Sequence, residues 1–271
     1  MSEADTEHLM AVFGRAAPTY DEVIPFFATF GQLLVEEAAP EPGDRVVDLA
    51  TGRGASLIPA AQAVAPTGSV VGIDLRPEMV AALADDLGRL GLVDAEVRVG
   101  DITALDLADE FFDVALCGFT LQVLPDPSAA AAEAYRVLRP GGRLSVSVPR
   151  GVDPAWTFLG DLARRFAPRA QGPIGPIPNP SFDPAPLLGK AGFGSITAVE
   201  RAGRFRFRDA DQWWAWTWTQ GVRALLESLP PDAVEELRQA AFERLAAMAG
   251  PDGIPLEQRA LIVTGWRPAA P

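Results

Sequence analysis

The sequence has almost none of the residues that ligate metals or pair with a nucleophile: its 271 residues include one cysteine, Cys117, and one histidine, His8. A lone cysteine excludes an internal disulfide and supplies no zinc or iron–sulfur ligand set. A lone histidine removes most metal sites and most catalytic triads, so no metal site is expected. Lysine is equally scarce, with Lys190 the sole example and arginine supplying the other positive charges. Positive charge is itself in deficit, since 36 acidic against 23 basic residues leave a net charge of −13. A nucleic-acid binder must neutralise phosphates, so this balance argues against nucleic acid as a partner. No stretch approaches the ~18 uninterrupted apolar residues of a membrane span. The opening MSEADTEHLM is acidic where an export signal is basic. A cytoplasmic protein without a membrane partner is expected.

What is present is the balance of a globular protein, 48% hydrophobic and 22% charged. That excludes a disordered chain, a collagen-like repeat and a coiled coil. The length suits one generous domain, or one domain with an appendage. Residues 6–38 have the spacing of one or two amphipathic helices, interrupted at Pro18 and Pro25. RVVDLA (45–50) and SVVGIDL (69–75) are short β-branched apolar runs, suited to buried parallel strands. A helix is expected between them at 55–65. Another at 77–90 places Met79, Val80, Leu83, Leu87 and Leu90 on one face, with Gly91 as its stop. AEVRVGD (95–101), DVALCGF (113–119) and RLSVSVP (143–149) read as the next three strands. A helix at 127–138 closes at the turn Arg139-Pro140-Gly141-Gly142 before the last of these. Strands alternating with helices predict an α/β fold with a parallel sheet covered on both faces. Beyond Pro149 the regularity breaks. A short helix (154–166), a Pro- and Gly-rich loop (168–186), a long strand (195–207), helices at 209–229 and 231–249 and a final strand (261–268) are expected.

Three places in this pattern carry chemistry. Asp48-Leu-Ala-Thr-Gly52-Arg-Gly54 is a Gly-rich turn at the carboxyl end of the first strand, where a ligand can approach backbone and helix N-terminus. A dinucleotide site would want G-x-G-x-x-G, but position 57 is leucine. The alternative is a tight strand-to-helix turn with no ligand. Asp74 ends the second strand 20 residues after Gly54, where a carboxylate can accept both hydrogens of a ribose diol; the alternative is an ordinary strand-end aspartate. Gly100-Asp101-Ile102 follows the third strand and can hold the edge and face of an adenine.

Together these segments resemble the class I S-adenosylmethionine-dependent methyltransferases. The similar stretches are VFGRAAPTYD (12–21), PGDRVVDLATGRG (42–54), TGSVVGIDLRPEM (67–79), GDITALDL (100–107), FFDVAL (111–116) and AAEAYRVLRPGGRL (131–144). The likeness is to the small-molecule branch that includes the ubiquinone/menaquinone-biosynthesis C-methyltransferases, and it covers Val12 to Val148, about half the chain. It implies a Rossmann-like fold with a mostly parallel seven-stranded sheet, an antiparallel last strand and a helical cap. S-adenosylmethionine would lie along the carboxyl ends of the first strands, with S-adenosylhomocysteine as product. By position, Asp48 would orient the methionine end through the loop or a water, and Gly52 and Gly54 would let the backbone pass close to it. Ala50 stands where the family usually has glycine, and Arg53 where it has a small polar residue. Asp74 would take the ribose hydroxyls, with Leu75 against the adenine and Met79 also at the cofactor. Asp101 would accept from the adenine amino group while Ile102 packs on the ring. The backbone near Cys117 would face the methionine amine, and Tyr20 would help close the site. The implied organisation is a helical lid (1–40), a cofactor-binding core (41–150), and the remaining strands with a Pro-rich loop and a Trp-rich cap (151–271).

The acceptor side is less defined. In GFTLQVLPD (118–126), Leu121 and Gln122 stand where the family often carries histidines or an Arg-Asn pair, so a quinone substrate is not inherited. Polar candidates for catalysis are His8, Tyr20, Thr120, Gln122 and Gln220, and histidine is the one side-chain type that titrates near neutrality. Phe26, Phe119, Trp213, Trp214, Trp216 and Trp218 are candidates for a substrate pocket. On a helix Trp213, Trp216 and Gln220 share one face, and Trp214 and Trp218 another; the alternative is that all four tryptophans are core. Residues 1–30, the loop 168–186 and the helix 209–221 are expected to close over the methionine end. Three functions fit: methyl transfer to a small aromatic or secondary-metabolite acceptor, a non-methylating reaction such as cyclisation on the same fold, and non-catalytic S-adenosylmethionine binding. The expected partner is a small-molecule acceptor, and the expected state a monomer or homodimer.

Overall fold

The computed structural model describes residues 3–174 and 181–269. Its elements run α1 (Glu3–Ala16), α2 (Phe26–Ala38), β1 (Arg45–Leu49), α3 (Leu57–Val64), β2 (Ser69–Asp74) and α4 (Pro77–Leu90). Then come β3 (Ala95–Val99), β4 (Phe112–Gly118), α5 (Pro127–Val137), β5 (Leu138–Val152), α6 (Phe158–Phe166) and α7 (Ala185–Ala191). The chain finishes with β6 (Gly194–Phe207), α8 (Ala210–Thr217), α9 (Arg223–Ser228), α10 (Pro231–Met248) and β7 (Ile254–Trp266). The boundaries have local causes. Pro25 immediately precedes α2. Gly91 closes α4 in the left-handed region at φ 69°, a conformation that glycine adopts without a Cβ penalty. The Asp126 carboxylate caps α5 by accepting from the N–H of Ser128 and of Ala129.

The strands form one seven-stranded sheet in the order β3-β2-β1-β4-β5-β7-β6. β1 pairs in parallel with β2 and β4, β2 with β3, and β4 with β5. β7 runs the other way. Gly141 donates to the Arg267 carbonyl, Arg267 donates to Gly142, and the hydroxyls of Ser145 and Thr264 meet at 2.8 Å. Residue numbers therefore rise on β5 as they fall on β7. Arg204 against Glu257 and Phe207 against Gly253 give the same opposed order for β6 and β7. The fold is the Rossmann-like, mostly parallel seven-stranded sheet with an antiparallel last strand.

The chain divides into two compact units. The first comprises Met1–Phe26, Gly151–Ile177 and Ala202–Arg259; the second comprises Phe27–Arg150, Pro178–Arg201 and Ala260–Pro271. In the second unit the strands alternate their side chains between two cores, as a period of two requires. Val47, Leu49, Ala115 and Cys117 pack with Ala130 and Ala134 of α5 and Leu188 of α7. Val46, Val114 and Leu116 pack with Leu34 of α2, Leu57 of α3 and Leu83 of α4. In the first unit Phe166 packs with Leu225, Leu226 and Leu237, with Trp214 and Trp218 against them. No helix among the described residues is long and apolar enough to cross a membrane.

Four expectations need correction. The Arg139–Gly142 segment is part of β5 rather than a turn before it. The register jumps there, with Phe112 opposite Leu138 but Val114 opposite Arg143, and Gly141 at φ 82° absorbs the extra residues. Part of the 168–186 loop is ordered, with α7 beginning at Ala185 after Asp183 accepts the Ala185 N–H at 2.9 Å; residues 175–180 lie outside the described residues. The single helix expected at 209–229 is two helices. Hydroxyls of Thr217 and Thr219 bond back to the carbonyls of Trp214 and Trp216 and end α8 before Gly221. Trp218 and Gln220 consequently lie beyond α8 rather than on it.

Two glycines test this packing. A Cβ on Gly31 of α2 would lie 2.1 Å from the Ala55 carbonyl oxygen, whereas one on Gly88 of α4 would meet nothing. Gly31→Ala should lower stability by about 1–3 kcal/mol, and Gly88→Ala should raise it by about 0.5–1 kcal/mol. Urea unfolding of both variants checks the pair; equal effects would contradict the close approach of α2 to the loop before α3.

Candidate functional site

The carboxyl ends of β1 and β2 lie side by side, with Asp48 opposite Gly72 and Leu49 opposite Ile73. The connection from β1 to α3 turns sharply: Ala50 (φ 57°), Gly52 (φ 54°) and Gly54 (φ 79°) all occupy the left-handed region. Glycine suits such positions, and at Ala50 the methyl carries a cost of ~1–2 kcal/mol. A Cβ on Gly54 would reach within 2.6 Å of the Leu83 side chain, so the loop lies directly on α4.

Two carboxylates hold this loop. Asp48 is 1% exposed; it accepts from the Thr51 hydroxyl at 2.7 Å and from the Leu57 N–H at the start of α3. Asp74 accepts from the Gly52 N–H at 2.8 Å through one oxygen and from the Arg76 N–H at 2.9 Å through the other. Thr51 donates its own N–H to the Ile73 carbonyl at 3.0 Å. Burial pushes the Asp48 carboxyl up to about 7, the nearby Asp74 charge adding to the rise while the Thr51 and Leu57 hydrogen bonds oppose it. Asp74 is also raised by burial, against its two backbone donors and the Arg76 charge. Asp74 is thus not an ordinary strand-end aspartate, being buried and bound to two backbone groups. Arg53 is paired with Asp86 of α4, its Nε at 3.2 Å, which accounts for an arginine in this turn.

The ends of β3 and β4 complete the group. Gly100 donates to the Asp74 carbonyl at 2.9 Å. Asp101 is exposed and accepts from the N–H and hydroxyl of Thr103 at 2.8 and 2.7 Å, while Ile102 and Met79 are buried and Leu75 is 50% exposed. Cys117 is buried, and burial together with the Asp48 charge pushes its thiol up to about 12, leaving it an unreactive neutral group. Phe119, following β4, holds a left-handed φ of 51°, an outlier for a bulky residue and a mark of functional sites. Its ring lies 5.0 Å from that of Phe30. Gln122 donates its amide to the Phe119 carbonyl at 2.7 Å, while its Oε1 is buried with no donor among the described residues. The structure thus brings together Asp48, Ala50, Gly52, Gly54, Asp74, Asp101 and Ile102 with Cys117, Phe119 and Gln122 in one unit. Thr51 was missed; the Asp-x-x-Thr spacing across a strand-to-helix turn is the signal that would have found it.

Residues 47–146 match the Methyltransferase domain family. The chain is 32% identical over 277 aligned residues to nocamycin O-methyltransferase of Saccharothrix syringae, covering 95% of this chain and 98% of that protein. The chain is a class I S-adenosylmethionine-dependent methyltransferase. It is also 30% identical to 2-phytyl-1,4-naphthoquinone methyltransferase of Synechocystis over 54% of this chain and 64% of that protein. The YcgJ protein of Bacillus subtilis shares the fold at a TM-score of 0.60 and 16% identity, covering 89% of this chain and all of that one. The methyltransferase uses S-adenosylmethionine as methyl donor.

The other candidates belong to the methyltransferase's first unit. His8 lies on α1 with its Nε2 buried and unpaired among the described residues. Tyr20 sits edge-on to Phe13 at 6.4 Å, and Gln220 donates to the Thr219 hydroxyl at 3.1 Å. Phe26 packs on Trp216 and Phe205 at 5.4 and 5.2 Å. Trp213 is 2% exposed beside Trp156. Trp214 meets Trp218 edge-on at 6.1 Å, and Arg238 lies 6.0 Å from the Trp214 ring. Trp213 and Trp216 therefore face one aromatic group, and Trp214 and Trp218 another.

The raised Asp48 has a consequence for stability. Its carboxyl moves from an ordinary 3.8 to about 7 on folding. Between those values the folded state holds more protons than the unfolded one, so this group's contribution falls as pH rises through the window. Asp48→Asn keeps an acceptor for Thr51 and does not titrate. Chemical unfolding of both proteins from pH 4.5 to 7.5 should show the variant gaining on the wild type as pH rises; a constant difference would contradict the buried carboxyl.

Proposed function

We propose that this enzyme transfers the methyl group of S-adenosylmethionine to an oxygen of a flat secondary-metabolite-like molecule. The observation carrying this reading is the pair of buried carboxylates that pins the Ala50–Gly54 loop at the strand ends, joined to a full-length likeness to an O-methyltransferase. The residues fit the cofactor on a specific point. Gln122 Oε1 is a buried acceptor without a donor among the described residues, and the methionine end brings an ammonium with N–H groups to give. Asp74 spends one lone pair per oxygen on backbone donors and retains others for ribose hydroxyls. Gly52 and Gly54 would let the methionine end lie against the backbone, and Ile102, with Leu75 and Met79, would pack about the adenine while Asp101 accepts from its amino group.

When bound, the cofactor supplies an electrophilic methyl on a sulfonium. The protein's part is to orient and to exclude water, because an in-line displacement depends chiefly on positioning. An acidic acceptor hydroxyl needs little help from a base, which suits a chain whose polar candidates are His8, Tyr20, Thr120, Gln122 and Gln220. The net charge of −13 supports a small acceptor over a nucleic acid, and a single buried free cysteine fits a reducing cytoplasm. We place the enzyme there as a monomer or homodimer.

Asp74→Ala should weaken S-adenosylhomocysteine binding by about 2–3 kcal/mol through loss of charge-assisted hydrogen bonds. It should also lower the melting temperature, because Gly52 and Arg76 lose their acceptor. Calorimetric titration decides: wild-type affinity in a folded variant would defeat the ribose role. Incubating the wild type with methyl-labelled cofactor and a phenolic acceptor should put the label on oxygen.

A further inference from the structure

The first unit contains an aromatic nest that the cofactor chemistry leaves unused. Phe207 lies 5.3 Å from Trp216 and 6.0 Å from Trp156 between ring centroids, and Trp156 lies 6.4 Å from Trp213. Phe26 covers Trp216 at 5.4 Å. The three indoles of this nest are not alike. Trp156 donates its Nε1–H to the Pro255 carbonyl at 2.9 Å. The Nε1 atoms of Trp213 and Trp216 are buried and meet no acceptor among the described residues. Polar groups on and just after α8 are engaged elsewhere. The hydroxyls of Thr217 and Thr219 donate to backbone carbonyls at 2.7 and 2.8 Å, and Gln212 Oε1 accepts from the Arg208 N–H at 2.6 Å. A buried donor without a partner forfeits its hydration and gains nothing in return. Here two such donors stand three residues apart, on one face of one helix.

We propose that Trp213 and Trp216 bind the oxygens of the methyl acceptor, a flat conjugated molecule with two carbonyl or enolic oxygens along one edge. The oxygens accept from the two indole N–H groups, and the ring system takes the place of Phe26 against Trp216 and Phe205. This rests on the reading of the chain as a small-molecule methyltransferase and adds the substrate class. Aromatic walls favour a planar ligand. Two donors awaiting acceptors select oxygen-bearing molecules and discriminate strongly against analogues that lack them.

The probe is 2-hydroxy-1,4-naphthoquinone, with naphthalene as the oxygen-free control, added to ¹⁵N-labelled full-length protein. The six indole N–H resonances are assigned with Trp213→Phe and Trp216→Phe. The resonances of Trp213 and Trp216 should move downfield with the probe and not with naphthalene. Each substitution should weaken the probe about tenfold while leaving S-adenosylhomocysteine affinity within about twofold. If a phenylalanine variant fails to fold, benzothienylalanine at the same position removes the N–H, keeps the shape, and should give the same loss. No saturable probe binding, unshifted resonances at saturation, or undiminished affinity in the substituted proteins overturns the proposal. Failure of the wild-type protein to bind S-adenosylhomocysteine would instead overturn the methyltransferase reading.

Discussion

Two carboxylates buried at the ends of neighbouring parallel strands determine the shape of everything that follows β1. Asp48 takes the Thr51 hydroxyl and Asp74 the Gly52 N–H, so consecutive residues of one loop are tied to two different strands. With the Thr51 N–H on the Ile73 carbonyl, the chain is led through three left-handed residues and delivered onto α3. A loop with so many backbone groups turned inward is tolerable only because each finds an acceptor. The cost appears in the carboxyls themselves, both raised by burial, and it is borne where a parallel sheet opens its ligand crevice.

The sheet supplies the rigidity. β1 and β4 send alternate residues into two cores, one closed by α2, α3 and α4 and the other by α5 and α7. α2 is thus packed as deeply as the helices between the strands, with Leu34 wholly buried. The aromatic nest of the first unit has a different character. Its rings are large and mutually packed, and two of its indole donors have no acceptor among the described residues.

Much of this was legible in the sequence. Continuous β-branched runs at RVVDL and SVVGID mark strands buried on both faces, and Gly91 marks the end of α4 to the residue. Asp74 was legible through its spacing from the Gly-rich turn. The hydrogen bonds that fix it were not, because backbone donors leave no trace in residue identity. The Arg139–Gly142 segment misled for a physical reason: Pro and Gly signal a turn equally well when they form a bulge inside a strand. The α8–α9 break was hidden because threonines bonding back to the helix look like ordinary helical residues. Arg53 looked anomalous until α4 brought Asp86 beside it, a pairing across 33 residues that no local pattern records.

The claim on which the account turns is that the Asp48–Asp74 pair orders the Gly52 loop and that this loop receives the cofactor. Amide hydrogen exchange at Gly52, followed by NMR with and without S-adenosylhomocysteine, addresses it directly. The account predicts a protected Gly52 amide in the free protein, further slowing when the cofactor product binds, and loss of both effects in Asp74→Ala. Free exchange at Gly52 in the wild type, or a rate unaltered by saturating S-adenosylhomocysteine, would contradict it.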